Sequence, residues 1–194
     1  MLHQITPVTN MIEIVNVNEN WGIGKNGQLL VNIPEDMAFF RTTTRGSVVI
    51  CGSVTLDSFP GFAPLKNRVN IILVDDDKKI RPESIAAAEA DRKAGKSTKL
   101  IYVHSIEEAV EVAERESVLP DTAKKDIFVI GGASIYRIML PYCDTCLVTI
   151  NDSPREADTF FPNLRESDEW EMTEQSELHE HEGVHFRFTT WKRK

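Results

Sequence analysis

The chain has 194 residues, 41% of them hydrophobic, three cysteines and a formal net charge of −8. That length supports one domain with a substantial core and hardly two, and the acidic balance argues against nucleic acid or an anionic membrane as a partner. No apolar run nears the roughly 20 residues of a bilayer span, residues 1–10 lack the regions of a signal peptide, and three cysteines make no disulfide scaffold, so a cytoplasmic protein is expected.

Residues 1–10 read as an N-terminal extension, with a single domain over 11–194. Ile12–Val17 is a short apolar strand. Gly22–Leu29 follows as a flexible, glycine-punctuated loop leading toward a helix over Pro34–Thr44, with Pro34 in the first turn, where a missing N–H costs little. Ser47–Cys51 is a buried strand, Gly52 a turn, and a short helix runs through Ser58. Val69–Val74 and Leu100–Val103 are further strands, and Ser105 caps a helix through Glu116 with Glu108 at the capping-box position. Ile127–Ile130 is an apolar strand that stops at Gly131-Gly132 and hands over to a helix over Ala133–Leu140. Leu147–Ile150 is a strand, and Trp170–Glu177 with Val184–Trp191 forms an antiparallel hairpin. Between the strands, Asp75–Lys99 reads as a surface insertion with a solvated charge run and an exposed helix over Pro82–Ala94. Strand–helix alternation predicts an α/β fold: a mixed, mostly parallel sheet with helices on both faces and a C-terminal antiparallel ribbon at one edge.

Several residues in this pattern can do chemistry. A buried strand ending in Gly131-Gly132 lets backbone approach a phosphate while the following helix points N–H groups at it, although a tight turn alone explains two glycines. Gly52-Ser53-Val54-Thr55 repeats that geometry, with Thr55 placed to cap its helix. Two such corners in one sheet suit a diphosphate across the strand ends. Asp36 lies in the first turn of its helix, where it stabilises the dipole or, near the apolar Phe39 and Phe40, meets a ligand that satisfies its charge. A carboxylate so placed suits a cationic or amidine-like heterocycle. Arg68, at a loop–strand junction, is either a surface arginine or a bidentate grip for a carboxylate. Cys143 and Cys146 form a lone C-x-x-C with no second pair and no helix to activate a thiolate, and His179 and His181 sit in an acidic turn, so no metal site is expected.

In order, these motifs resemble the dihydrofolate reductase family: Trp21–Gly27, Ile33–Phe40, Val49–Gly52 with Thr55, Pro64–Ile72, Val129–Ala133 with Tyr136, and Asp158–Pro162. The resemblance spans Met11 to Lys194 and implies NADPH-dependent reduction of 7,8-dihydrofolate to tetrahydrofolate, with hydride transfer to pterin C6 and protonation at N5. NADH is an alternative cofactor. The implied substrate site is Asn16, Asp36, Met37, Phe40, Phe59, Arg68, Ile130 and Thr149. Within it Asp36 is the catalytic acid on the pterin 2-amino group and N3, Arg68 holds the glutamate carboxylate, and Thr149 supports Asp36. The implied cofactor site is Asn16, Ile23, Gly24, Gly27, Leu29, Gly52, Ser53, Thr55, Val74, Asp75, His104, Ile130, Gly131, Gly132, Ala133, Ser134, Ile135 and Tyr136, with Gly22–Leu29 as a loop closing over the nicotinamide.

The chain departs from the family pattern at three places. Leu30-Val31 stands where Pro-Trp is common, and Asn16 stands where the first strand has alanine. At the adenine end, Ser53 and Val54 replace basic residues, and the strand after them ends in Val74-Asp75-Asp76-Asp77. Carboxylates there repel a 2′-phosphate and accept from a free ribose hydroxyl, which predicts a weaker preference for NADPH unless Lys78, Lys79 or Arg81 folds back. Two other readings remain: a reductase of the same fold acting on a ribosylated pyrimidine in the riboflavin pathway, and a non-catalytic pterin- or nucleotide-binding module. The expected partners are dihydrofolate and the dinucleotide, with antifolate inhibitors, on a monomer that binds neither nucleic acid nor membrane.

Overall fold

The computed structural model describes residues 10–118 and 125–194. The expected extension, residues 1–10, lies outside them except for Asn10, whose N–H donates to Asp144 Oδ2 at 3.2 Å. Five parallel pairings join β8 (Thr145–Asn151), β1 (Met11–Asn18), β7 (Ile127–Val129), β4 (Val48–Gly52), β5 (Val69–Leu73) and β6 (Lys99–Val103) in that spatial order. Outside β8 lies antiparallel β12 (Val184–Arg193), which carries both β10 (Trp170–Gln175) and β11 (His179–His181). The single C-terminal hairpin expected from the sequence is thus a longer β12 shared by two short strands, because residues 176–178 break the first arm.

Alternation along the strands assigns the two faces. Val48 and Ile50 join one core with Val15, Val129 and the inward residues of α4 (Ile106–Ser117) and α5 (Ala133–Met139). Val49 and Cys51 join the other with Ile14, Phe128 and Ile130, against which Phe39 and Phe40 of α1 (Pro34–Thr43) and Leu56 of α2 (Ser53–Asp57) pack. Burying both faces requires apolar residues at successive positions, which is why these strands read as continuous apolar runs. Half of the capping box at α4 forms: Glu108 N–H donates to Ser105 Oγ at 3.1 Å, while Glu108 Oε2 accepts from the N–H of His104, one residue before the cap, at 2.8 Å.

Three local expectations are corrected. Gly22–Leu29 is not an open loop but a tight ribbon, β2 (Gly22–Lys25) paired with β3 (Gln28–Leu29) and with β9 (Thr159–Phe160). Asn26 and Gly27 take φ of 52° and 75°, the two-residue turn that an Asn-Gly pair favours between strands. A side chain at Gly24 would meet the Gln28 carbonyl oxygen at 2.8 Å. Thr55 does not cap α2; Gly52 occupies that position and Thr55 lies inside the helix. The 75–99 segment is docked as well as exposed: α3 (Pro82–Lys93) buries Ser84 and Ala88, and Arg81 grips Asp57 with Nε at 2.9 Å and Nη2 at 2.7 Å.

Candidate active site

The parallel strands all point their carboxyl ends the same way, and the candidate residues collect there. Asp36 sits in the first turn of α1 but caps nothing, since Ile33 holds the N-cap position with no side-chain bond to the helix. The carboxylate instead turns toward the sheet. Its Oδ2 accepts from Asn16 Nδ2 at 2.9 Å, and the Thr149 side chain stands beside it, favouring the charged form. Asn16 and Thr149 are paired across β1 and β8, so one register places both side chains under α1. Burial pushes the Asp36 carboxyl above the ordinary aspartate value, and Thr149 and Asn16 offset this only in part. Met37, Phe39 and Phe40 continue the half-buried face of the helix, and Phe39 lies 4.7 Å from Phe188 of β12.

Arg68 is buried, not superficial, at 8% exposure. Its Nε donates to Thr44 Oγ1 at 2.9 Å, Nη1 to the Lys66 carbonyl at 2.8 Å and Nη2 to the Arg41 carbonyl at 2.7 Å. Five N–H groups less these three leaves one on each terminal nitrogen, the pair a carboxylate binds. Its guanidinium makes no ion pair among the described residues, and burial together with the charge of Arg45 lowers its proton affinity. A buried cation of this kind favours an anionic ligand. Phe59 and Ile130 border the same core as Phe40.

At the two glycine corners the backbone is bare. Gly52 N–H donates to the Gly131 carbonyl at 2.9 Å, so the corners are adjacent. Gly131 has φ of 106°, and a Cβ there would sit 3.0 Å from the Tyr136 ring; one at Gly132 would sit 3.5 Å from Thr55 Oγ1. Position 131 requires glycine, and Thr55 Oγ1 lies near position 132. Ser53, Ala133 and Ser134 stand in the first turns of the two helices. This cradle suits the diphosphate of a dinucleotide.

The remaining expected cofactor residues divide. Ile23, Gly24, Gly27 and Leu29 belong to the ribbon, whose turn is fastened by Asn26 N–H to Asp158 Oδ2 at 2.8 Å, and Leu29 is 65% exposed. Val74 and Ile135 are buried. Tyr136 is buried with its hydroxyl donating to the Ile14 carbonyl at 2.8 Å. Asp75 and His104 are exposed; Asp75 Oδ1 lies 2.6 Å from Lys79 Nζ, and His104 Nε2 lies 3.4 Å from Asp77 Oδ1. With Arg81 on Asp57 and Lys79 on Asp75, two of the three cations that could fold back toward a 2′-phosphate are already engaged.

Cys143 and Cys146 are buried thiols whose proton affinity burial raises, as is Cys51, pushed up to about 12. His179 stacks on Phe186 at 5.3 Å, and His181 Nδ1 lies 3.4 Å from Glu35 Oε2. Among the buried polar residues that the sequence analysis does not single out are Asn151, which bonds Asn16, and Glu13, fully buried on β1. The available signal was the same for both, a polar residue at an inward position of a strand.

The family model described as dihydrofolate reductase matches residues 10–193. A dihydrofolate reductase of Heliothis virescens is 32% identical over 159 residues, covering 75% of each chain. One from Mycobacterium tuberculosis is 34% identical over 149 residues, again 75% of each. In fold, the structure of a dihydrofolate reductase from Enterococcus faecalis complexed with NADP(H) and RAB-propyl superimposes with a TM-score of 0.74 at 24% identity, covering 95% of this chain and 96% of that one. A carboxylate held under α1, a buried arginine with two N–H groups to spare and a bare glycine corner lie within that matched span: the chain belongs to the dihydrofolate reductase family.

Proposed function

We propose that the protein reduces 7,8-dihydrofolate to 5,6,7,8-tetrahydrofolate with NADPH, in support of one-carbon and thymidylate metabolism. The observation that carries this reading is the Asp36 carboxylate, seated under α1 by Asn16 and Thr149 rather than spent on a helix cap. An acid in that position accepts two N–H bonds from the pterin 2-amino group and N3. Its burial-raised proton affinity suits a group that keeps a proton close to N5. Met37, Phe40, Phe59 and Ile130 enclose the ring, and Arg68 takes the glutamate carboxylate in its two remaining N–H groups. Gly52, Ser53, Thr55, Gly131, Gly132, Ala133 and Ser134 hold the dinucleotide's phosphates. When bound, NADPH supplies the hydride that pterin C6 receives. The β2–β3 ribbon covers the reacting end and limits water there. Holding two reactants in register accounts for most of the rate such a site can supply.

At the adenine end, Asp75–Asp77 and the engaged Lys79 and Arg81 support a reduced preference for NADPH over NADH. An NADPH advantage in kcat/KM above roughly a thousandfold, about 4 kcal/mol, contradicts that part. Val31 stands where the family's tryptophan would help hold a water near the acid, and a valine offers no hydrogen bond in its place. Antifolates presenting an amidine edge are expected at Asp36. We also read the protein as a cytoplasmic monomer without nucleic-acid or membrane partners, supported by the net charge of −8 and, among the described residues, by the lack of any helix long and apolar enough to cross a membrane.

Loss of NADPH absorbance on adding dihydrofolate tests the reading; no substrate-dependent oxidation overturns it. Neither the pyrimidine reductase of the riboflavin pathway nor the non-catalytic module gains support from any relative described above.

A further inference from the structure

Asn16 is held at both ends. Its Nδ2 donates to Asp36 Oδ2 at 2.9 Å, and its Oδ1 accepts from Asn151 Nδ2 at 2.7 Å. Asn151, 2% exposed, is fixed in turn, with Nδ2 also donating to the Val17 carbonyl at 2.8 Å and Oδ1 accepting from Ser153 N–H at 3.0 Å. Those two backbone groups dictate which end of the Asn151 amide is which: a carbonyl demands a donor and an N–H demands an acceptor. Asn151 therefore offers N–H to Asn16, Asn16 must answer with Oδ1, and Nδ2 is left for Asp36. The backbone polarity of β1 and the 151–153 turn thus reaches the carboxylate through two side-chain amides.

We propose that Asn16 and Asn151 are positioning residues that fix the orientation of the Asp36 carboxylate and leave one edge of it to the substrate. The inference rests on the reading of Asp36 as the pterin-binding acid. A carboxylate has about four lone-pair sites; Asn16 occupies one, with Thr149 alongside, and at least two remain for a ring edge with two parallel N–H donors. The charged groups around Asp36 are few. Glu35 precedes it on α1 and lies against His181 of β11. Tyr136 of α5 feels the Asp36 charge but has its hydroxyl committed to the Ile14 carbonyl. β1 and β8 present the neutral Asn16 and Thr149. No cation stands among the causes that move the Asp36 proton, so the two neutral donors set it against burial.

The test compares Asn16→Ala, Asn16→Asp and Asn151→Ala with the wild type. Carbon NMR of the Asp36 carboxyl in the substrate-free protein gives its titration midpoint, and kcat and KM for dihydrofolate are measured across pH. Asn16→Ala is expected to raise the midpoint by about half to one pH unit, the worth of one net hydrogen bond, and to raise KM. Asn16→Asp keeps shape and the acceptor for Asn151 but sets two carboxylates face to face, so it moves the midpoint further than alanine does. Asn151→Ala shifts it in the same direction, and the double variant Asn16→Ala/Asn151→Ala goes no further than Asn16→Ala alone. The inference is overturned if both Asn16 variants titrate like the wild type, or if Asn16→Asp does so while Asn151→Ala changes only Tm. Because the midpoint is read without substrate, a wild type that does not turn over dihydrofolate while the midpoints move as stated sinks the proposed function and leaves the positioning role supported. Turnover with unmoved midpoints does the reverse.

Discussion

Two groups of aspartates stand at the carboxyl ends of the parallel strands and behave oppositely. Asp36, against β1 and β8, is half-buried, bonded by neutral side chains, and holds its proton more tightly than an ordinary aspartate. Asp75, beyond the end of β5, is exposed, paired with Lys79, and gives up its proton more readily, chiefly because of that side-chain hydrogen bond. Residue type is constant between them and environment decides the use. A buried carboxylate with neutral partners retains unsatisfied acceptor capacity that a ligand can fill. An exposed one beside a lysine is already compensated, and water and salt screen what is left.

The sharpest way to break this contrast is to neutralise the buried member. Asp36→Asn is expected to lower kcat/KM for dihydrofolate by at least about a hundredfold at neutral pH, measured by steady-state NADPH oxidation; near-wild-type turnover removes Asp36 from its role. Arg68→Leu comes next. It should raise KM for dihydrofolate about ten- to a hundredfold, the worth of a charge-assisted bond pair, with kcat less affected, and lower Tm because Thr44 and two carbonyls lose their donor. An unchanged KM would place the substrate's carboxylate elsewhere.

Glu13 extends the comparison to a carboxyl with no partner at all. Both its oxygens are buried without a hydrogen bond, and burial raises its proton affinity well above normal against a smaller opposing pull from Arg193. A carboxyl whose folded value is raised contributes full stability below its unfolded value, roughly pH 4–5, and loses it as pH climbs toward the folded one. Glu13→Gln cannot ionise, so its Tm should match the wild type near pH 4 and exceed it increasingly toward neutral and alkaline pH. Parallel Tm curves would show that Glu13 ionises freely in the fold. The smallest effect belongs to the exposed group: Asp75→Asn should improve NADPH relative to NADH by about two- to fivefold and leave Tm unmoved. A larger change in cofactor ratio would mean the carboxylate touches the ribose directly.

Much of this was readable in the chain, for physical reasons particular to each element. Strands buried on both faces announce themselves as apolar runs, so β4, β5 and β7 and the glycine corner at Gly131-Gly132 are visible from residue order alone. Asp36 is legible because an acid beside Phe39 and Phe40 conflicts with its neighbours. The ribbon reads from sequence as a flexible loop although Asn26-Gly27 carries the hairpin signal, since β2 and β3 are too short to show alternation. Thr55 has the residue type of a cap, yet the helix starts at Ser53 with Gly52 as its N-cap, three residues earlier, and the Thr55 hydroxyl lies near Gly132 instead. Asn151 is visible only as a polar residue at an inward strand position, and its role comes from a partner on β1, 135 residues away in sequence. The pairing of β1 with β8 makes that contact, and no local pattern encodes it.

The account stands on Asp36 meeting the nitrogen-rich edge of the substrate, and its carboxyl titration with and without dihydrofolate tests that contact directly. Donors from the pterin favour the charged carboxylate, so binding should pull the midpoint below its value in the free protein. A midpoint that stays the same when dihydrofolate is bound would contradict the account.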